Sequence, residues 1–183
     1  MKAATAKPLQ GLAPVVDAGT RLVVLGSFPG VASLQAQQYY GHPRNHFWPI
    51  LGAIWGIDLA ALAYAQRLAA MLDRGLGLWD VYASCRREGS LDSAIEEPVL
   101  NDLAILTRRA PGLRAIAHNG GESARSMKHT IALTQALGVE CCACPPPARR
   151  TRAGPSSASW PRGVQRSRRM VSREAPRDCE RNE

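Results

Sequence analysis

Residues 21–48 read RLVVLGSFPGVASLQAQQYYGHPRNHFW. Arg21-Leu-Val-Val-Leu25 is short, apolar and β-branched, the pattern of a parallel strand buried on both faces. It breaks at Gly26-Ser27-Phe28-Pro29-Gly30. In an open α/β sheet, ligands sit at such a break at a strand's carboxyl end. Glycines there let the backbone come close to a ligand, and Pro29 stiffens the turn by fixing φ. On this motif alone, an ordinary strand-to-helix connection is the favoured explanation of the turn. The residues that follow, Tyr39 to Trp48, alternate aromatic and polar side chains before an apolar helical pattern begins.

Outward from this stretch, strands and helices alternate. Asn45 to Trp55 reads as a helix with Phe47, Trp48, Leu51, Ile54 and Trp55 on one apolar face. Asp58 can cap the next helix, which carries Leu59, Leu62, Leu68, Met71 and Leu72 and ends near Gly75. A second strand, Gly77 to Tyr82, runs into a polar loop from Ala83 to Asp92. Asn101 to Arg109 reads as a helix closed by Pro111-Gly112. A third strand, Leu113 to His118, stops at Asn119-Gly120-Gly121, and Glu122 to Leu137 reads as a helix. This order predicts an α/β fold, a three-layer α/β/α sandwich around a mostly parallel sheet.

A chain of 183 residues suits one such domain with a sizeable core. No apolar run approaches the ~20 residues that span a bilayer, so no membrane partner is expected. Met1 to Pro8 lacks the apolar stretch of a secretory signal, which makes the cytoplasm the expected location. Five cysteines there read as thiols. The formal charge of +8 belongs mostly to the end of the chain. Residues 145–183 hold ten arginines against four acids, leaving +2 for residues 1–144. The body must therefore meet any phosphate through locally placed Arg and Lys side chains.

The motifs GSFPG (Gly26–Gly30), QYYGHPRN.FW (Gln38–Trp48), GLWDVYASCRREGSLDSAI (Gly77–Ile95) and IAHNG (Ile116–Gly120) resemble the uracil-DNA glycosylase superfamily, most closely its hypoxanthine-DNA (deoxyinosine) glycosylase branch. The likeness runs from about Arg21 to Gly138. It implies an enzyme that swings a damaged nucleotide out of the duplex into a pocket and hydrolyses the base–sugar bond with water. No lysine stands in the core motifs to form a covalent intermediate, and no cofactor or metal is implied. The partner implied is DNA containing deaminated bases, met by a monomer.

The resemblance also assigns roles. Tyr40 stands where the superfamily places its base-stacking aromatic, and stacking on such a ring contributes ~1–3 kcal/mol per base. Asn119 carries both a donor and an acceptor for a base edge, although an Asn-Gly pair is also an ordinary turn. Many relatives have Asp or Asn where this chain has Phe28, and a phenylalanine cannot orient water. The catalytic role then passes to Asn45, which could equally cap the helix beginning at Phe47. Ser27 is the second catalytic candidate. Gly26 and Phe28 join Tyr40 and Asn119 as base-binding candidates, whereas core packing is favoured for Tyr39 and Phe47. His42, Arg44, Arg86 and Arg87 are the candidate DNA contacts, with Asp80 supporting the pocket wall; a solvated loop is the competing reading for the two later arginines. His42 and His46 are spaced like a metal pair, but Pro43 interrupts any helix between them. Cys141 and Cys144 form a lone CxxC, too few thiolates for an iron–sulfur cluster. Two other readings are a catalytically impaired DNA-binding remnant and a small-molecule binder whose glycine turn holds a phosphate. The second lacks both the GxGxxG spacing and a P-loop lysine.

Beyond Gly138 the pattern changes to Cys141-Cys-Ala-Cys144, three prolines and an Arg-, Ser- and Pro-rich tail. The expected division is a glycosylase-like domain over 1–140 and a disordered or out-of-frame tail over 141–183. The superfamily's second active-site motif, which in this branch resembles LPSTSPAHA, does not occur. Cys144 to Thr151 can be encoded as TGC CCT CCA CCA GCC CGG CGC ACG. Read from one nucleotide earlier, after a codon ending in C, these bases give Leu-Pro-Ser-Thr-Ser-Pro-Ala-His. A change of frame at about Val139 or Glu140 is therefore compatible with the residues. It predicts that the last core strand and its helix are missing or disrupted, at a cost of several kcal/mol when apolar surface contributes ~25 cal/mol per Å2.

Overall fold

The computed structural model describes residues 7–135 and 138–144. The chain divides between Pro147 and Ala148, and every described element lies in the first unit. Its centre is a four-stranded sheet of β2 (Leu22–Gly26), β3 (Leu76–Asp80), β6 (Ala115–Asn119) and β7 (Glu140–Cys144), in the order β3-β2-β6-β7. All three pairings are parallel. Helices α1 (Val31–Ala36), α2 (Phe47–Trp55) and α3 (Tyr64–Leu72) connect β2 to β3. Helix α4 (Ala104–Arg109) precedes β6, and α5 (Gly121–Arg125) and α6 (Met127–Gln135) lie between β6 and β7. The expected parallel α/β class is what forms.

The core explains why the central strands read as they do. Val23, Leu25, Leu78 and Ile116 are fully inaccessible, and every residue of β3 is buried. Apolar side chains on both faces of a strand are the signature of a sheet covered on both sides. Trp48, Leu59, Met71 and Leu106 complete the cluster from the helices.

Several boundaries differ from the sequence expectation, each for a local reason. Residues 83–86, expected as loop, belong with Tyr82 to β4 (Tyr82–Arg86), which pairs antiparallel with β1 (Leu9–Gln10) and β5 (Glu96–Leu100) in a second, three-stranded sheet. β1 is two residues long and distant in sequence, and every residue of β5 is exposed, so no apolar pattern announces the sheet. Helix α4 starts at Ala104 rather than Asn101 because Asn101 is held by the sheet: its backbone N–H donates to Val81 O and its side chain to Asp80 O. The helix expected over 122–137 is broken at Ser126 into α5 and α6.

The expected loss of the last strand is also corrected. Residues 140–144 form β7 in continuous register with β6, from Ala115–Glu140 to Asn119–Cys144. The open edge of β6 offers backbone N–H and C=O groups that any extended segment can pair with, so a strand forms although none of its side chains is fully buried. The sheet therefore extends past the expected boundary at 140. Residues 145–183, on which the expectations of a disordered tail and a missing helix fall, lie outside the described residues.

A strand docked mainly through its backbone contributes little apolar burial. If the chain from Val139 onward is out of frame, the variant carrying the alternative frame should give more soluble protein and a melting temperature higher by several degrees, of order 4 °C per kcal/mol gained. Identical thermal melts would count against the frame change.

Candidate active site

Parallel register sets the site. Gly26 pairs with Asp80, Leu25 with both Trp79 and His118, and Asn119 follows His118, so Gly26, Asp80 and Asn119 all stand at the carboxyl end of the sheet. Strand β2 lies where the connections turn from one side of the sheet to the other, the place where open α/β sheets bind ligands. A cavity of about 280 Å3 opens there, lined among others by Gly26, Ser27, Phe28, Tyr40, His42, Asn45, Asp80 and Asn119. The glycine turn, the Tyr40–Asn45 segment and Asn119 thus meet in one place, as the sequence predicts. A second cavity of about 250 Å3, between Val81 and Thr130, holds none of these residues.

Gly26 is required by its neighbour. A Cβ at this position would lie 2.4 Å from Asp80 Oδ1. The carboxylate occupies the space that any other residue would fill, so the pocket floor is an acid packed against bare backbone. Asp80 is 5% exposed, and its Oδ2 has no hydrogen-bond partner within the described protein. Burial pushes its pKa up to about 7, Asp92 adding to the rise and Arg87 opposing it.

Tyr40 has a left-handed backbone, φ +55°, which costs a non-glycine residue of order 1 kcal/mol. Its neighbours enforce the conformation. Tyr39 N–H donates to the Tyr64 hydroxyl, Trp48 Nε1–H donates to Tyr39 O, and Gly41 N–H donates to Ser33 Oγ. One face of the Tyr40 ring stacks on Phe47, with centroids 3.9 Å apart and planes 14° from parallel. Only the opposite face is left for a base, and Phe47 serves as the backing the sequence reading assigned to the core. Tyr39 is buried, its hydroxyl shared between Leu12 O and Ala13 O.

Asn119 Nδ2 donates to the Tyr40 hydroxyl at 2.9 Å, which orients the carboxamide. One N–H and the carbonyl oxygen remain for a ligand. Beneath it, His118 is fully buried, a residue that sequence reasoning passed over. Ser123 Oγ donates its proton to Leu25 O and so accepts from His118 Nδ1–H at 2.8 Å, while Nε2 accepts from Thr130 Oγ1 at 3.0 Å. Burial lowers its pKa, and the neutral ring ties α5 and α6 to the strand that carries Asn119. The only advance signal was a histidine in an apolar strand.

Asn45 lines the cavity, and it also caps a helix: its Oδ1 accepts the Phe47 N–H at 2.8 Å. The bond to the first N–H of α2 is the one expected of a residue at the helix start, although His46 holds the N-cap position itself. Ser27 is less free than a catalytic role requires, because its hydroxyl donates to Asp92 Oδ1 at 2.7 Å. That bond, with Ser90 Oγ accepting from Val31 N–H, fastens the loop after β4 onto the glycine turn. Phe28 is a buried wall of the cavity.

The charged candidates separate. His42 and Arg44 are exposed at the rim, where His42 Nδ1 accepts from Arg44 N–H. Arg86 Nε lies 2.8 Å from the exposed Glu97 carboxylate, a weak surface pairing. Arg87 is no solvated loop residue. Its guanidinium sits 5.2 Å from the Phe28 ring centroid and donates through Nη2 to Pro29 O, with Nε and Nη1 unpaired. Cys141 and Cys144, three residues apart on β7, point to opposite faces of the sheet and cannot share an ion. Among the described residues no helix is long and apolar enough to cross a membrane.

No family model matches the chain. It is 44% identical over 114 residues to a hypoxanthine DNA glycosylase of Methanosarcina barkeri, covering 62% of this chain and 72% of that protein. The corresponding Methanosarcina acetivorans protein is 40% identical over 111 residues, 61% of this chain and 70% of the relative. The chain belongs to the hypoxanthine DNA glycosylase family. The fold agrees: a solution NMR structure from Methanosarcina acetivorans, described as a candidate uracil DNA glycosylase, superposes with a TM-score of 0.66 at 35% identity, over 76% of this chain and 84% of that one. DNA glycosylases are hydrolases of N-glycosyl bonds.

Two outcomes follow for this glycosylase. Folding raises the Asp80 pKa from its ordinary value of 3.8 to about 7, so the native state holds a proton that the unfolded chain has released. Stability therefore falls as pH rises from about 4 to 7. Asp80→Asn should melt above the wild type at pH 8, with the gap closing toward pH 4. Tyr40→Phe keeps the Phe47 stack and loses the bond to Asn119, which should lower stability by about 0.5–1.5 kcal/mol in denaturant titration.

Proposed function

We propose that this chain is a monofunctional DNA repair glycosylase. It excises deaminated bases after flipping them, hypoxanthine from deoxyinosine first and uracil second, and acts as a cytoplasmic monomer without metal or cofactor. The observation that carries the reading is the convergence of the Tyr40 ring, the Asn119 carboxamide and Asn45 in one cavity at the carboxyl end of β2 and β6.

The fit to a deaminated base is chemical. Hypoxanthine and uracil both present a lactam edge, an N–H beside a carbonyl. The free Oδ1 of Asn119 accepts from that N–H, and its remaining Nδ2 proton donates to the carbonyl. Adenine presents the reverse order at the same edge and leaves both groups of Asn119 facing like groups, at a cost typical of unpaired buried polar atoms. The free face of Tyr40 supplies stacking. Asn45 Nδ2, held by the helix cap, donates toward the reacting centre. Phosphate contacts fall to the exposed His42 and Arg44.

The relatives' names support the substrate class. The missing second motif supports a rival, a remnant that binds DNA without cutting it. The assay incubates the full chain with duplexes containing deoxyinosine or deoxyuridine, followed by alkaline cleavage of abasic sites. Cleavage is expected on both, faster on deoxyinosine, with Asn45→Ala slower by about 100-fold or more and Tyr40→Ala by roughly 5- to 150-fold. Binding without cleavage would establish the remnant.

A further inference from the structure

A water that attacks C1′ must give one of its protons to an acceptor, so that a lone pair points at the sugar. The glycine turn supplies no base, because Phe28 stands at its third position and the Ser27 hydroxyl, which donates to Asp92, can accept a hydrogen bond but not hold a proton at neutral pH. Asn45 Oδ1 already accepts the Phe47 N–H. Asn119 is held on the Tyr40 hydroxyl, and its carbonyl is the group suited to the base edge. Asp80 remains. It lines the same cavity, is more than nine-tenths buried, and its Oδ2 is without a partner in the described protein. The Cα of Gly26 gives the carboxylate room beside the turn.

We propose that Asp80 is a further catalytic residue of this site, the general base that orients the attacking water and takes its proton. The inference rests on the glycosylase reading above. In the step, the water oxygen bonds to C1′ as the C1′–N bond breaks, and that bond's electron pair leaves with the base. The water proton passes to the Asp80 carboxylate, and the departing base anion takes up a proton from solvent. The products are an abasic deoxyribose and the free base, with Asp80 returning its proton to solvent.

A base must be ionised to act. The charged groups facing Asp80 are Asp92 and Arg87 from the loop after β4, with the Tyr39 and Tyr40 phenols across the cavity and His42 at its rim. Burial and Asp92 outweigh Arg87, so the carboxyl is about half ionised near pH 7. The rate of base release should therefore climb through neutral pH and level off above it.

The test measures single-turnover cleavage of a deoxyinosine duplex from pH 5.5 to 9 for the full wild-type chain and Asp80→Asn, with binding measured on a duplex carrying the non-hydrolysable 2′-fluoro analogue. The expected result is a wild-type rate rising about tenfold per pH unit at the acid end and flattening near 7. Asp80→Asn should be slower by about 10²–10⁴-fold, without that acid limb, while binding the analogue within about threefold of wild type. Thermal melting of the variant shows that it is folded. An Asp80→Asn rate within about threefold of wild type, or an acid limb that survives in it, overturns the assignment of Asp80 and leaves the glycosylase reading standing. A wild-type chain that releases no base from either deoxyinosine or deoxyuridine overturns both.

Discussion

The parallel alignment of β2 with β3 and β6 is the constraint on which the site depends. Pairing Gly26 with Asp80 and Leu25 with His118 brings a glycine turn, a buried acid and an asparagine to one edge of the sheet. A one-residue slip would turn every side chain of the slipped strand to its other face. Register is protected by full burial of Val23, Leu25, Leu78 and Ile116, since no alternative pairing keeps all of them dry. The hydrophobic layer and the reactive edge are thus set by the same hydrogen bonds.

That dependence shows which parts were legible from the sequence. Strands β2, β3 and β6 could be read because two-sided burial writes continuous apolar runs, and the turn after β2 could be read because glycine and proline punctuate it. Tyr40, Asn45 and Asn119 were found through motif likeness, and the structure places all three around one cavity. The antiparallel sheet was not legible. Strand β4 pairs with Leu9–Gln10, more than seventy residues away, and with Glu96–Leu100, whose side chains are all exposed, so no periodic pattern marks either partner. Strand β7 was misread for the opposite reason. Its composition looked foreign to the fold, yet backbone pairing at an open edge asks little of side chains.

Roles were harder to read than positions, because several residues do two things. Asn45 satisfies the first N–H of α2 with its oxygen and also lines the cavity. A single-residue choice between cap and catalyst could not have been settled from spacing. His118 is neither ligand nor acid. Its two ring nitrogens fasten α5 and α6 beneath Asn119, a positioning role visible only once Ser123 and Thr130 are folded against it. Arg86 and Arg87 are adjacent in sequence, but one is paired with Glu97 and the other turned under Phe28.

Phe28 ties these observations together. An aromatic at the third position of the turn puts an apolar wall on the cavity. Beside such a wall an unpaired carboxylate is costly. Gly26, by lacking a side chain, is what lets that carboxylate sit against the turn at all. The turn's two unusual features, a bulky residue at 28 and an empty position at 26, therefore act together. One walls the cavity and the other leaves room for an acid from the neighbouring strand, so chemistry that the turn itself does not carry can be supplied across the sheet.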